Sequence, residues 1–361
     1  MNFSKRDLFL NSLRRCETHY LPWDIKFSSP VRDKIRQIIG AETLESYFQL
    51  TTRDLYFRPW FAPDAFVAYG ITSDLLVNED GWEIGQWGVG QEGHQGDHFV
   101  HLKPPLSGLS CAEELASYPF PDLTNPSCHQ HLADAVRELH EKGLAAIGYM
   151  EWSIFEIAWY MRGMENLLID FTENPKFANY LLDRITAIRS EQSALFAHKG
   201  VDLIKLGDDV GTQKGMLMSP QTWREWLKPR LAAVITAAKR TRDDVLVMYH
   251  SDGDVTEIVP DLIEVGVDVL NPIQPECMDI AKLKREYGLH LSFWGGLGTQ
   301  TTMPFGTSDE VRRAVLWLAR TMGQDGGFLL APTHLIEPEV PWENIVAAFE
   351  TVMEYNRGIM R

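Results

Sequence analysis

The stretch Val245–Glu276, VLVMYHSDGDVTEIVPDLIEVGVDVLNPIQPE, decides the fold. It opens on the apolar run VLVMY at 245–249 and turns polar at His250-Ser251-Asp252-Gly253. Residues 255–265 then carry apolar side chains at helical spacing, and VDVL at 267–270 is a second short run closed by Asn271-Pro272. An apolar run, a helix and another apolar run make a strand–helix–strand unit of the kind that builds a parallel sheet. The alternation continues outward on both sides. Further strands are predicted at 144–149, 202–207, 290–294 and 327–331, with helices at 174–197, 219–239, 278–287, 308–322 and 342–355. An earlier strand near 19–25 brings the count toward eight, and a (β/α)8 TIM-type barrel closes such a set most economically.

The rest of the chain is attached to that barrel within one domain, 1–361. Residues 1–60 read as a helical arm, with helices at 4–15, carrying Leu8, Leu10 and Leu13, and at 30–39, opened by Pro30. Residues 66–101 switch to short runs such as Leu75-Leu76-Val77 and Trp87-Gly88-Val89 between turns such as Glu79-Asp80-Gly81, which predicts inserted β-hairpins. Tyr118-Pro119-Phe120-Pro121-Asp122 is a stiff connector into the most recognisable portion, 140–355.

Composition narrows the partners. The chain has 361 residues, 45% of them hydrophobic, and a formal charge of −16. An acidic surface lacks the field that nucleic acid or anionic lipid requires. Neither an apolar leader nor a run of about 18 apolar residues occurs, which points to a cytoplasmic protein with no membrane partner. Cys16, Cys111, Cys128 and Cys277 show no CxxC spacing, so they read as separate thiols. A homodimer is compatible with all of this.

Chemistry in a parallel barrel collects where strands end, because those loops converge on one mouth. Here the strand ends supply Glu151-Trp152, Asp208-Asp209, His250 with Asp252, Asn271 through Gln274 to Glu276, Thr299, and Thr333-His334. Carboxylates and two histidines meet there with no arginine among them, a composition suited to a cation or metal. Each residue also has a plain structural use: Asp208 or Asp209 as a helix cap, Asp252-Gly253 as turn chemistry, His250 as a packed histidine. His250 paired with Asp252, together with His334, outweighs those separate uses. His94, His98 and His101 sit in the irregular Gly-rich hairpin region and read as solvated or structural. Trp82, Trp87, Trp152, Trp159, Trp223 and Trp226 read mainly as core and barrel wall.

The string Gly207-Asp208-Asp209-Val210-Gly211-Thr212-Gln213-Lys214-Gly215 resembles the uroporphyrinogen decarboxylase superfamily. So do HSDG at 250–253, DLIEVGVDVLNPIQPE at 261–276, FWGGLGTQ at 293–300 and PWENI at 341–345. The resemblance implies a distorted TIM barrel and one of two chemistries: cofactor-free decarboxylation of a porphyrinogen, or zinc-dependent methyl transfer involving a corrinoid. The decarboxylase's Arg-rich N-terminal signature is missing, and a polycarboxylate would be repelled by the acidic mouth. The methyltransferase branch ligates zinc through His-x-Cys-Gly and a later cysteine; this sequence places Asp252 and His334 at those positions. His250, Asp252 and His334 then form a harder, more Lewis-acidic site than a thiolate one.

These readings combine into a metal-assisted methyltransferase. His250, Asp252 and His334 hold a divalent ion, zinc first, with iron, cobalt or manganese as alternatives. Glu151, Asp208 or Asp209 moves a proton, and Trp152, Asn271, Gln274, Glu276 and Thr299 contact a small substrate such as a methyl ether. A separate corrinoid protein accepts the methyl group. The rivals are a cofactor-independent decarboxylase acting on a different acid and a non-catalytic barrel that binds a corrinoid or tetrapyrrole.

Overall fold

A computed structural model describes residues 3–16, 20–40, 42–60, 82–92 and 102–360, the side chains at 82–84, 91, 92 and 151 excepted. Seven parallel strands form one curled sheet. They are β1 (Thr52–Leu55), β5 (Ala145–Glu151), β6 (Leu203–Gly207), β9 (Leu246–His250), β10 (Val269–Asn271), β11 (Ser292–Leu297) and β12 (Phe328–Pro332), in that spatial order. An extended segment at 22–27 serves as the eighth stave. It bridges β12 through Trp23 and Leu330, then continues past it through Phe27 and Ile336. The architecture is a distorted α/β barrel of TIM type. The sequence runs predict six of these strands and the stave; β1 escapes because its four residues, TRDL, carry two charges.

Between β1 and β5, β2 (Trp82–Ile84), β3 (Gly90–Glu92) and β4 (Leu102–Lys103) make a small antiparallel sheet, in keeping with the hairpins predicted there. Trp87-Gly88-Val89 belongs to the β2–β3 connection instead of a strand, since Gly88 has φ +76°. The runs at 75–77 and 79–81 lie outside the described residues, as do His94, His98 and His101. A last antiparallel pair, β7 (Gly211–Thr212) and β8 (Gly215–Met216), stands just after β6. No helix among the described residues is long and apolar enough to cross a membrane.

Alternation along the strands builds two cores. Ala146, Ile204, Leu206, Val247, Leu270 and Phe293 belong to the large cluster that also takes in the outer helices. The opposite parity, Ala145, Ile147, Leu203, Leu246, Met248, Val269 and Leu329, forms a second cluster with Phe9, Leu10 and Leu13 of the helix Lys5–Leu13. That helix therefore plugs the barrel at the N-terminal ends of the strands. Arg6 and His140 reinforce it by meeting buried Asp202 at 2.6 and 2.9 Å. Following the inward parity toward the opposite end, apolar residues give way to Tyr149, Lys205, His250, Asn271 and Thr333, which line a cavity of about 280 Å³.

Candidate functional site

His250 ends β9, directly opposite Gly207 in β6. A side chain at 207 would put its Cβ 2.6 Å from the His250 Cβ, so glycine is what lets the strands approach there. The imidazole Nδ1 lies 2.6 Å from Asn271 Oδ1, while Asn271 Nδ2 donates to the Trp294 carbonyl at 3.0 Å. A backbone carbonyl only accepts, so the amide oxygen must face the histidine, and Nδ1 carries the proton. Nε2 is left with its lone pair. It faces Asp209 Oδ1 at 3.8 Å and Asp252 Oδ1 at 3.9 Å.

These distances exceed a hydrogen bond and approach the separation of two ligands on one ion, roughly 3.4 Å for bonds of about 2.1 Å at tetrahedral angles. Asp209, His250 and Asp252 are the metal-capable trio found among the described residues, with ligand atoms all within 4.8 Å. The imidazole with its tautomer fixed from behind fits metal ligation. One imidazole with two carboxylates is harder than the predicted pair of imidazoles with one carboxylate, and suits zinc, manganese or iron(II). His334 lines the same cavity but is exposed and falls outside that trio.

Two interlocked loops hold the carboxylates. Asp252 N donates to Asp209 Oδ1 at 2.8 Å, Val210 N to Ser251 Oγ at 3.0 Å and Asp254 N to the Thr212 carbonyl at 2.9 Å. Gln274 Oε1 accepts from Gly253 N at 2.6 Å. Gln274 is thus a brace under the Asp252 loop and is not part of the cavity lining. Glu276 and Thr299 also brace loops: Glu276 Oε1 accepts from Gln300 N and Thr301 Oγ1, and Thr299 Oγ1 pairs with Thr333 Oγ1 at 3.0 Å. Trp152 and Asn271 do line the cavity.

Adjacent Asp208 and Asp209 are divided between structure and site. Asp208 is buried and accepts from Ile154 N and Glu156 N, both at 3.0 Å, at the start of the helix Phe155–Arg162. Burial raises its pKa to about 6, against the pull of those amides. It is absent from the cavity lining, which Asp209 joins. Glu151 closes β5, and its side chain lies outside the described ones. Trp152 follows at φ +57°, a conformation costly for a bulky residue, on the order of 1–3 kcal/mol. Arg189, pushed down to about 10 by burial, holds that turn by donating to the Trp152 and Ser153 carbonyls at 2.8 and 3.2 Å.

Glu156 was not anticipated. It is buried, accepts from Tyr160 Oη at 3.1 Å and from Asp209 N at 3.2 Å, and burial with Asp209 and Asp208 close by pushes it up to about 9. It therefore keeps its proton at neutral pH. The unfolded chain has already lost that proton above about 4.5, so stability falls as pH rises from there toward about 9, at up to about 1.4 kcal/mol per unit. Glu156→Gln copies the protonated form and is expected to flatten the slope. Urea titrations of metal-stripped wild type and variant between pH 5 and 9 check this, and parallel slopes would contradict it.

Strand-end reading also passed over the cavity's basic side. Lys26, from the extended segment, and Lys205, inside β6, line it beside buried Asp24. Lys205 carried a legible signal, since it interrupts LIKLG at an inward position two residues after Leu203.

A family model described as uroporphyrinogen decarboxylase (URO-D) matches residues 97–355. The chain is 23% identical over 370 residues to the uroporphyrinogen decarboxylase of Chlorobium phaeobacteroides, covering 97% of this chain and 98% of that one. To the uroporphyrinogen decarboxylase of Chlorobium luteolum it is 22% identical over 369 residues, with the same coverage. Among solved structures, a methyltransferase from Methanosarcina mazei superposes over 98% of this chain and 99% of its own with a TM-score of 0.69, at 17% identity.

Proposed function

Because this chain belongs to the uroporphyrinogen decarboxylase family, an enzyme family, we propose that it is its metal-assisted methyltransferase form, moving a methyl group from a small methylated substrate to a corrinoid protein. The observation that carries this reading is the convergence of the His250 Nε2 lone pair with the Asp209 and Asp252 carboxylates in one cavity. A decarboxylation that needs no cofactor does not require an imidazole lone pair to converge with two carboxylates. The fold shared with the Methanosarcina mazei methyltransferase supports the same direction.

Asp209, His250 and Asp252 would hold the ion, with Asn271 fixing the imidazole from behind. When bound, a divalent ion supplies Lewis acidity toward an ether oxygen, and a reduced corrinoid supplies the nucleophile. The protein's own groups do the rest. Trp152 and Trp294 flank the substrate and limit water, Thr333 offers a hydroxyl in the lining, and His334, exposed at the rim, carries a proton to the leaving oxygen. Neutral Glu156 keeps a further negative charge away from Asp209.

The test is turnover of an aryl methyl ether with zinc-loaded protein and reduced cobalamin, reading methylcobalamin by absorbance and the freed phenol by chromatography. Methyl transfer that stops on chelation and returns with zinc is expected. Decarboxylation of an acid unaffected by exhaustive chelation would overturn the reading in favour of the cofactor-free lyase.

A further inference from the structure

Trp152 carries a strain that the fold alone does not explain. It stands at φ +57° in the turn after β5, a place where glycine would sit without strain. Burial of the indole does not offset the strain, since Trp152 is 49% exposed and belongs to neither apolar core. Yet the turn is pinned on both sides. Ser153 N donates to the Gly207 carbonyl at 2.8 Å, and Ser153 Oγ accepts from Gly207 N at 2.9 Å. Buried Asp208 accepts from Ile154 N at 3.0 Å, and buried Arg189 donates to the Trp152 and Ser153 carbonyls. Arg189 is itself fixed. It donates to Gln192 Oε1 at 2.5 Å, and its guanidinium carbon lies 5.2 Å from the centroid of the Trp87 ring. A buried guanidinium aimed at two carbonyls of one strained turn secures the direction of the side chain that leaves it.

That side chain lines the cavity of the trio. Tyr149, Trp152 and Trp294 bring aromatic rings to the lining. The Tyr149 ring meets Lys26, Lys205 and Tyr56, and Trp294 is buried against Phe9 of the plugging helix at 5.9 Å. Trp152 has one ring contact among the described residues, with Tyr160 at 5.9 Å and 82° between planes. It is therefore the ring with surface to spare beside the trio. One flat indole suits stacking on a planar group, whereas a quaternary ammonium takes a cage of several ring faces.

We propose that Trp152 is a specificity-determining residue that stacks on a flat, uncharged ring of the substrate, and that Arg189 is the positioning residue that holds the indole for it. The methylated substrate is then an aryl methyl ether and not an alkyl one. This substrate class rests on the methyltransferase reading of the same cavity.

Binding tests it without turnover. Calorimetry on the full chain dialysed against zinc compares 4-methoxyphenol with trans-4-methoxycyclohexanol, which keeps the ether and the hydroxyl but not the flat ring. The aryl ligand is expected to bind about three- to ten-fold tighter. Trp152→Gly should bring the two affinities level, yet unfold at no less urea than Trp152→Ala, because glycine accepts the positive φ. Trp152→Phe should keep the preference. Arg189→Lys retains the buried charge but loses the fork that reaches both carbonyls, so it should weaken the aryl ligand more than the cyclohexyl one; a merely structural role would weaken both alike. Equal binding of the two ligands by wild type, a preference that survives in Trp152→Gly and Trp152→Ala, or tetramethylammonium binding tighter than 4-methoxyphenol would overturn the proposal. Equal losses in Arg189→Lys would remove Arg189 from it. The wild-type comparison holds even if a variant misfolds. Zinc content of the same samples separates the two ideas: zinc uptake without the aryl preference removes the stacking role alone, whereas the preference without zinc uptake keeps that role and removes the metal reading.

Discussion

His250→Ala is expected to lower the affinity for zinc by at least about 100-fold and to abolish methyl transfer. The imidazole is the one nitrogen ligand of the trio, and its Nε2 lone pair faces both carboxylates. Without it, Asp209 and Asp252 remain as two like charges with an unfavourable field between them, and the buried Asn271 oxygen loses its donor. Asn271→Leu is milder. It leaves the ligands in place but releases the tautomer, a change expected to cost about 10- to 100-fold in affinity. His334→Ala discriminates between the ligand set suggested by strand-end reading and the trio that the fold assembles: zinc content stays at one equivalent while turnover falls. Competition with a zinc-binding dye measures all three. Retention of zinc by His250→Ala with loss in His334→Ala would reverse the assignment.

Gly253→Ala is expected to cost about 3–5 kcal/mol of stability and to weaken metal binding as well. Gly253 has φ +80°, a region alanine enters only with strain. Space is the larger obstacle. An added Cβ would stand 2.5 Å from Gly211 C and Thr212 N, and a Cβ on Gly211 would stand 2.5 Å from the Asp252 carbonyl oxygen. Both obstacles are backbone, so no rotamer relieves them. Relief requires parting the loops, at the expense of the Asp254-to-Thr212 and Gly253-to-Gln274 hydrogen bonds that aim Asp252. Denaturant unfolding and zinc titration of the same variant check both effects, and wild-type values in either would contradict the account.

Most of the barrel was legible because parallel strands buried on both faces leave continuous apolar runs, and six such runs fall within a few residues of β5, β6, β9, β10, β11 and β12. β1 was not, since Arg53 and Asp54 break the pattern and its pairing with β5 is a long-range fact. The mouth was legible for the same reason as the strands: His250, Asp252, Asn271 and Asp209 follow directly from where the runs stop. Which of two adjacent aspartates faces the cavity was not, because that depends on the helix start at Phe155 whose amides take Asp208. Glu156 lay hidden because it stands alone among apolar residues in SIFEIAWY, a stretch assigned to no element and away from the strand ends. The lysine wall was hidden for another reason. Lys26 arrives from a stave with only isolated bridges to the sheet, and its approach to Tyr149 exists only once the barrel closes.

Anomalous diffraction at the zinc edge, from crystals of the full chain grown with zinc, locates the ion and its ligands. The account predicts one strong peak per chain, bonded to Nε2 of His250 and to carboxylate oxygens of Asp209 and Asp252. A peak placed on His334 without Asp209, or no peak at saturating zinc, would contradict it.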